Sequence, residues 1–248
     1  MKNNFLHLRC GFGHHFWFSL FLTAVLSISS FLQPLLQTFQ QGGVFYQGYH
    51  NQLIAQALSS DMLLSFLPVF AAFPLSAGYL EDVKSNFIRF QLVRRSYSDY
   101  LLSYFTTCWF FGGGAVLGGI LLIWGVTTIV FSPVEQIDEN YVGIAPQIAS
   151  QLTLVFLNGG LWAVVGMALS TVMESKYIAY ISPFIVYYLL VILYERYFPD
   201  AWLLYPRNWL NPEIWPYGVV SAAVFLLELT FVSGLLFYFR GRRRLESL

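Results

Sequence analysis

The sequence predicts an all-α integral membrane protein with six transmembrane helices, both termini in the cytoplasm, and an amphipathic cytoplasmic helix between spans two and three. Composition is the first reason, because 57% of the 248 residues are apolar and 10% are charged. A soluble domain carries about 25% charged residues, so lipid is expected to surround most of this surface. No Gly/Ser-rich or Pro-rich linker divides the chain. We therefore expect one transmembrane domain over residues 1–248.

Six long apolar runs are the second reason. A hydrocarbon core about 30 Å thick needs about 20 helical residues, because each residue adds about 1.5 Å. The runs cover residues 16–36, 62–80, 101–131, 152–173, 178–194 and 218–239. The third run exceeds one perpendicular span, so it is expected to tilt, to begin as a cytoplasmic helix, or to break near Gly112, Gly113 and Gly114. Residues 37–61 are predicted to form a polar outer loop, and residues 174–177 a very short inner turn.

The positions of the basic residues are the third reason, because they predict the orientation. Cytoplasmic loops carry an excess of Lys and Arg. With the N-terminus inside, two basic residues lie outside, Arg196 and Arg207. The others lie inside: Lys2, Arg9, Lys84, Arg89, Arg94, Arg95, Lys176, Arg240, Arg242, Arg243 and Arg244. We expect a multi-pass protein of the cell membrane, of the bacterial inner membrane type.

The inner segment between spans two and three, residues 81–99, is too polar to cross the membrane. Its apolar and basic residues recur at helical spacing, which predicts a short amphipathic helix on the inner surface. Ser96 and Asp99 match a capping box, so a new helix should begin there. The segment is either a membrane-surface helix held by anionic lipid or a docking element for a cytoplasmic protein. Its candidate residues are Glu81, Asp82, Lys84, Phe87, Ile88, Arg89, Phe90, Leu92, Arg94 and Arg95.

Glu228 is the acidic residue that lies well inside a predicted span. An ionised acid at that depth costs about 3 kcal/mol on insertion scales. It lies either on a substrate path or at a helix contact, or it is a neutral acid hydrogen-bonded to a neighbouring helix. In each case we expect a buried position with a polar contact rather than a position facing lipid.

Small residues predict where helices approach each other closely. Gly114 and Gly118 form a G-x-x-x-G pattern, and Gly166 and Ser170 form a second small-x-x-x-small pattern. These patterns indicate a helix bundle and no particular function. Bends are expected where prolines interrupt the second and fifth runs, at Pro68, Pro74 and Pro183.

The segment 195–217 between the fifth and sixth runs combines aromatic residues with prolines. Trp202, Tyr205, Trp209 and Trp215 are its main aromatic residues. Tryptophan and tyrosine favour the headgroup layer of a membrane. Short interfacial or re-entrant helices are therefore expected, the latter only if protein buries their backbone.

Several function classes lack their characteristic motifs. The sequence contains no G-x-x-x-x-G-K-[ST] phosphate loop, and its histidines show no zinc-ligand spacing. Intramembrane proteolysis requires paired catalytic residues within the spans, and one acid alone does not provide them. We expect no enzyme activity, no metal site and no nucleic-acid partner.

Two stretches resemble a known family. They are EDVKSNFIRFQLVRRSYSDYLLSYF, at the entry to span three, and GGLWAVVGMALSTVMESKYIAYISPFIVYY, around the short inner turn. With the six-span layout, they resemble the transmembrane subunit of ABC transporters of the ABC-2 export type. Tyr104 departs from that pattern, because many relatives carry lysine there. The matching residues of the second stretch are Gly160, Gly166, Ser170, Lys176, Tyr177, Ala179 and Pro183.

The resemblance implies a permease subunit of an ATP-driven exporter. Such a permease pairs with a second copy of itself or with a similar permease in the lipid bilayer, and separate ABC ATPase subunits bind ATP and Mg. The chain itself would bind no cofactor. Residues 81–99 would be the segment coupled to the ATPase, and the aromatic segment would form short re-entrant elements near the exit. The alternative is a non-transporting membrane scaffold or sensor that docks cytoplasmic partners.

Overall fold

The computed structural model describes residues 13–40, 45–85, 87–88, 96–136 and 143–246, and helices dominate these ranges. A π-helix, Leu193–Tyr197, extends the α-helix Lys176–Ile192, and three 3₁₀ helices follow it. These are Trp202–Leu204, Pro206–Leu210 and Pro212–Ile214. The α-helices are α1 (His14–Gln40), α2 (Tyr49–Ser59), α3 (Asp61–Ala72), α4 (Gly78–Lys84), α5 (Tyr97–Phe131), α6 (Ala145–Met173), α7 (Lys176–Ile192) and α8 (Val219–Glu246).

Five of the described helices are long and apolar enough to cross a membrane: α1, α5, α6, α7 with its π-helical extension, and α8. The pair α2 and α3, bent by 69°, gives a sixth crossing if it counts as one span. On α8, exposed large apolar side chains recur from Val220 to Phe239. That stretch rises about 30 Å, the thickness of the hydrocarbon core. The fold is that of an all-α, multi-pass membrane protein.

The second predicted span is not one continuous helix, so the prediction of a single run over residues 62–80 is wrong. Helix α3 ends at Ala72, residues 73–77 form turns, and α4 begins at Gly78. Pro74 has no N–H to donate to the carbonyl oxygen of Phe70. That oxygen instead accepts from the Phe73 N–H at 3.3 Å and from the Ser19 hydroxyl of α1 at 2.7 Å. The chain therefore changes direction while this acceptor keeps two donors.

The predicted polar loop over residues 37–61 is also wrong, because it contains α2. Leu53, Ile54 and Ala57 of this helix are fully buried in the bundle. The Asn51 side chain accepts a hydrogen bond from the Trp124 indole N–H at 3.0 Å. The polar residues that suggested a loop are thus compatible with a helix, because one of them, Asn51, finds a hydrogen-bond donor on the neighbouring helix α5.

Helix α6 lies at the centre of the bundle. In the most apolar stretch of α6, 78% of the residues are buried, whereas in the most apolar stretch of α8 only 17% are buried. Small residues allow this close packing. A Cβ on Gly112 of α5 would lie 2.9 Å from the Ala71 carbonyl oxygen and would overlap Ala163 of α6. Helix α5 continues unbroken through this region, so the predicted alternative of a break at residues 112–114 is wrong.

The predicted packing residues have different outcomes. A Cβ on Gly166 would overlap the Ala179 carbonyl oxygen of α7, which confirms a close approach there. Ser170 is buried and donates to the Met167 carbonyl oxygen at 2.8 Å. Gly118 faces Leu20 of α1. Gly114 makes no such contact within this chain, because no atom of another described helix lies within 4 Å of its Cβ position. Gly114 is two residues from Gly112 and so points to a different side of the helix.

The bundle has two chemically different ends. The arginine end contains the last turns of α8 with Arg240, Arg242, Arg243 and Arg244, together with α4 and the start of α5. The tryptophan end is the opposite one, and it contains the end of α5 and the segment 193–218.

Candidate docking surface at the arginine end

The start of α5 is fixed by a helix cap and by a cluster of buried aromatic residues. Ser96 accepts a hydrogen bond from the Asp99 N–H at 3.1 Å, and α5 begins at Tyr97, which confirms the predicted cap. Tyr100 and Tyr104 of α5 then pack against α4 and α8 in a buried cluster with Tyr79 and Phe237.

Asp82 joins α4 to α5. The Tyr100 hydroxyl donates to Asp82 Oδ2 at 2.9 Å. Burial raises the pKa of the Asp82 carboxyl above its usual range, and the neighbouring Glu81 charge adds to this, while the Tyr100 hydrogen bond opposes it. The hydrogen bond from Tyr100 therefore stabilises the ionised form of the Asp82 carboxyl.

Tyr79 joins α4 to α8. Its hydroxyl donates to the Gly241 carbonyl oxygen at 3.1 Å, and its ring lies edge-on to Phe237 at 5.0 Å between centroids. Gly241 permits this approach, because a Cβ there would lie 2.9 Å from Leu101 and 3.3 Å from the Tyr79 hydroxyl. Helix α4 is thus held between α5 and α8.

The turn between α6 and α7 joins the same assembly. Glu174 is the one residue of this predicted short turn with a left-handed backbone, at φ 57°, and that conformation costs about 1–2 kcal/mol for a non-glycine residue. Its carbonyl oxygen accepts a hydrogen bond from Lys84 Nζ at 3.0 Å. Its carboxylate lies 3.4 Å from Arg244 of α8. These contacts connect α4, the α6–α7 turn and the end of α8.

The predicted coupling residues occupy different positions. Ile88 is fully buried in the cluster with Tyr79 and Tyr100, so it anchors the segment and is not available for docking. Phe87 beside it is 47% exposed, and Glu81 and Lys84 are exposed. The remaining candidates lie outside the described residues, namely Arg89, Phe90, Leu92, Arg94 and Arg95.

Sequence reasoning missed most of the residues that hold this surface together. Tyr79, Tyr100, Glu174 and Arg244 were not predicted as site residues. The tyrosines between Tyr79 and Tyr104 are a visible signal, because a hydroxyl on an apolar helix needs a partner. The partners themselves are far away in the sequence and cannot be found by spacing.

A partly exposed aromatic face connects α1, α3 and α7. The rings of Phe18 and Phe73 lie 5.7 Å apart, and Phe73 lies 5.4 Å from Tyr180. Further along, Phe66 lies 6.2 Å from Phe184. These residues form a row of rings between three helices, and the sequence did not predict it because the helices contribute separately.

An ion pair lies at the start of α3, beside this aromatic face. Arg207 Nη1 lies 2.7 Å from Asp61 Oδ1, and the Asp61 side chain is 72% exposed. The Arg207 guanidinium also lies over the Tyr205 ring at 5.6 Å. Asp61 is the first residue of α3, the helix that also carries Phe66 of the aromatic face.

The aromatic segment at the tryptophan end enters the bundle. Trp209 and Trp215 are buried, and Trp209 stacks on Trp162 of α6 at 5.8 Å. Their indole N–H groups donate to the carbonyl oxygens of Leu203 and Asn208 at 2.8 and 2.9 Å. Of the two expected arrangements, the burial favours re-entrant elements. Trp202 and Tyr205, the other two predicted residues, are partly buried there.

Glu228 does not occupy the expected buried position. It is exposed on the surface of α8. Helix α8 buries Ala222, Leu226 and Thr230, at intervals of four residues. Glu228 is two residues from Leu226 and therefore points away from that face. Within the described residues of this chain, the buried position with a polar contact that was expected for Glu228 is therefore not formed.

Comparisons with known proteins give no relative for this chain: no family model, no curated protein and no solved structure matches it.

Proposed function

We propose that this chain is the permease subunit of an ATP-driven exporter of the ABC-2 type, with its arginine end in the cytoplasm. A separate ATPase would bind and hydrolyse ATP with Mg, and a second permease copy would complete the pathway. One observation carries the proposal. The inner segment shows an exposed phenylalanine, Phe87, while its neighbour Ile88 is buried against helices that extend into the membrane.

This arrangement supports coupling for a mechanical reason. A load on Phe87 would reach α4 through Ile88, α5 through Asp82 and the α6–α7 turn through Lys84. Packed side chains and hydrogen bonds of this kind transmit displacement between sites. The aromatic face on α1, α3 and α7 would then form one wall of the pathway.

The test compares Phe87→Asp with Phe198→Asp in the intact complex with its ATPase. Both phenylalanines are exposed, at 47% and 55%, but Phe198 lies at the tryptophan end. We expect Phe87→Asp to leave the protein inserted and to weaken ATPase binding by about tenfold or more, as for a buried aromatic anchor. Phe198→Asp should bind normally. Association is measured by co-purification, and coupling by substrate-stimulated ATP hydrolysis.

Two outcomes would decide against the proposal. Normal ATPase binding and transport by Phe87→Asp, with a changed lipid preference in the double variant Arg94→Ala and Arg95→Ala, would make the segment a membrane-surface helix. Partner binding by the wild type without any transport would favour the scaffold or sensor.

A further inference from the structure

An apolar groove lies between α5 and α8 at the arginine end. Its walls are Leu101, Leu102 and Phe105 of α5, and Phe231, Leu235 and Tyr238 of α8. Gly234 forms its floor, because a Cβ there would lie 2.6 Å from the Phe105 ring. The two helices therefore touch beneath the groove, which is open along its outer side.

The mouth of the groove is polar and basic. The hydroxyls of Ser98 and Tyr238 lie 3.0 Å apart, across the gap between the two helices. Arg242 lies one helical turn beyond Tyr238 and forms an ion pair with Glu246 at 2.8 Å. Arg240 and Arg243 are exposed on the same turns. Arg242 is the arginine on the groove side of α8, because Arg240 lies two residues from Tyr238 and points to a different side. The exposed arginines 240, 242 and 243 outnumber the exposed carboxylates of Glu246 and of Asp99, which follows Ser98, so this end of the groove carries a small net positive charge.

The groove is shallower than one lipid leaflet. Its lining along α8 runs from Phe231 to Tyr238 at the mouth, which are seven residues apart. That separation corresponds to about 10 Å of helix, within the half-thickness of about 15 Å of a 30 Å hydrocarbon core. With the basic turns of α8 at the membrane surface, the apolar walls would face the interior of one leaflet.

We propose that this groove binds one acyl chain of an anionic phospholipid from the leaflet on the arginine side, with the headgroup held by Arg242, Tyr238 and Ser98. Charge complementarity selects the headgroup, because a cluster of arginines beside a membrane-spanning helix attracts anionic lipid. The inference is independent of the proposed transport function.

The shape of the groove favours an acyl chain over a helix. A helix with its side chains is about 10–12 Å wide. The contacts of Gly234 with Phe105 and of Gly241 with Leu101 hold α5 and α8 together beneath the groove. The remaining space is a shallow channel between adjacent side chains, which suits a single flexible hydrocarbon chain.

The experiment measures lipid retention by the purified full chain with native mass spectrometry, using phosphatidylglycerol and phosphatidylcholine of the same acyl length. We expect the wild type to bind phosphatidylglycerol about fivefold more tightly, as one basic contact would produce. Arg242→Gln should reduce this preference toward equality. Arg196→Gln, which changes an arginine at the tryptophan end, should preserve it.

A second pair of variants tests the groove itself. Leu235→Trp should fill the channel and lower the retention of both lipids several-fold. Leu122→Trp is the matched control, because Leu122 is an exposed leucine of α5 that does not line the groove. If Leu235→Trp fails to fold, Leu102→Trp fills the same space from the α5 side.

Three results would overturn the proposal. The first is equal binding of the two lipids by the wild type. The second is unchanged lipid retention in a folded Leu235→Trp or Leu102→Trp variant. The third is efficient disulfide cross-linking between chains carrying Leu235→Cys in native membranes, because a second copy would then occupy the groove.

Discussion

The two ends of the bundle are held together in different ways. At the arginine end, hydrogen bonds join residues that are distant in the sequence, such as Lys84 with Glu174 and Tyr79 with Gly241. At the tryptophan end, the indole N–H groups of Trp209 and Trp215 bond to carbonyl oxygens six and seven residues earlier. The first end joins several helices by such bonds. At the second end the two indoles are satisfied within their own segment, while the Arg207–Asp61 ion pair and the Glu135–His50 contact join parts that are distant in the sequence.

This difference bears on how each end could move. Long-range side-chain bonds connect α4, α5, α8 and the α6–α7 turn, so a displacement of one is expected to reach the others. The tryptophan segment meets the bundle largely through ring faces, as where Trp209 stacks on Trp162. Ring contacts carry much burial energy but impose less directional constraint than hydrogen bonds. The Arg207–Asp61 ion pair also joins this segment to α3, so a movement of the segment away from α3 would break that pair.

Trp209→Ala is expected to have the largest effect. It removes a buried ring from its contact with Trp162, which should destabilise the fold by about 3–5 kcal/mol. Thermal unfolding of the purified protein in detergent measures the loss. Trp17→Ala is the control, because Trp17 is 59% exposed, and it should unfold near the wild-type temperature. Equal melting temperatures for the two variants would show that ring packing does not hold the tryptophan end.

Acidification should affect the two ends in opposite directions. Burial acts to raise the pKa of Glu135. The hydrogen bonds from the His50 N–H, the His50 ring and the Gly48 N–H lower the pKa by a larger amount, so the pKa is depressed overall. Its stabilising contribution is present above its ordinary value of 4.5 and is lost as pH falls through the folded pKa. Asp82 has a raised pKa, so its folded form holds the proton more tightly, and stability falls as pH rises from 3.8 through the folded pKa.

Unfolding temperatures between about pH 3.5 and 6.5 test this contrast. Glu135→Gln should remove the loss of stability on acidification, and Asp82→Asn should remove the opposing gain. Asp82→Asn keeps an oxygen that can accept the Tyr100 hydrogen bond, so its effect isolates the charge. The same pH dependence in both variants and the wild type would mean that neither carboxyl group distinguishes the ends.

Glu228→Leu should have the smallest effect on the stability of the isolated chain. Glu228 lies between the two ends on the exposed side of α8, so we expect a change within about 0.5 kcal/mol. Glu246→Leu is the comparison variant, because Glu246 forms an exposed ion pair with Arg242. A large loss in Glu228→Leu alone would reveal a contact that joins the middle of α8 to one of the ends.

Local signals in the sequence predicted several elements well. The Ser96 cap and the start of α5, the short turn at residues 174–177, and the close approach at Gly166 were all visible in short patterns. Each depends on residues adjacent in the chain or one helical turn apart. The break of the second span was visible only in part, because Pro74 predicted a bend but not the division into α3, turns and α4. The hydrogen bond from Ser19 of α1 to the Phe70 carbonyl oxygen at this break comes from a residue far away in the sequence.

Composition and the length of the apolar runs were enough to predict a helical chain suited to a membrane, because neither depends on a partner. The packing of the helices was needed to show that α2 is a buried helix and that Gly114 lies open. It was also needed to show that Glu228 faces outward, and that Asp82, Glu174 and Arg244 join separate helices. The physical reason is the same in each case. Helical periodicity shows which residues share a face, but only the packing of other helices decides which face is covered and which polar group finds a partner.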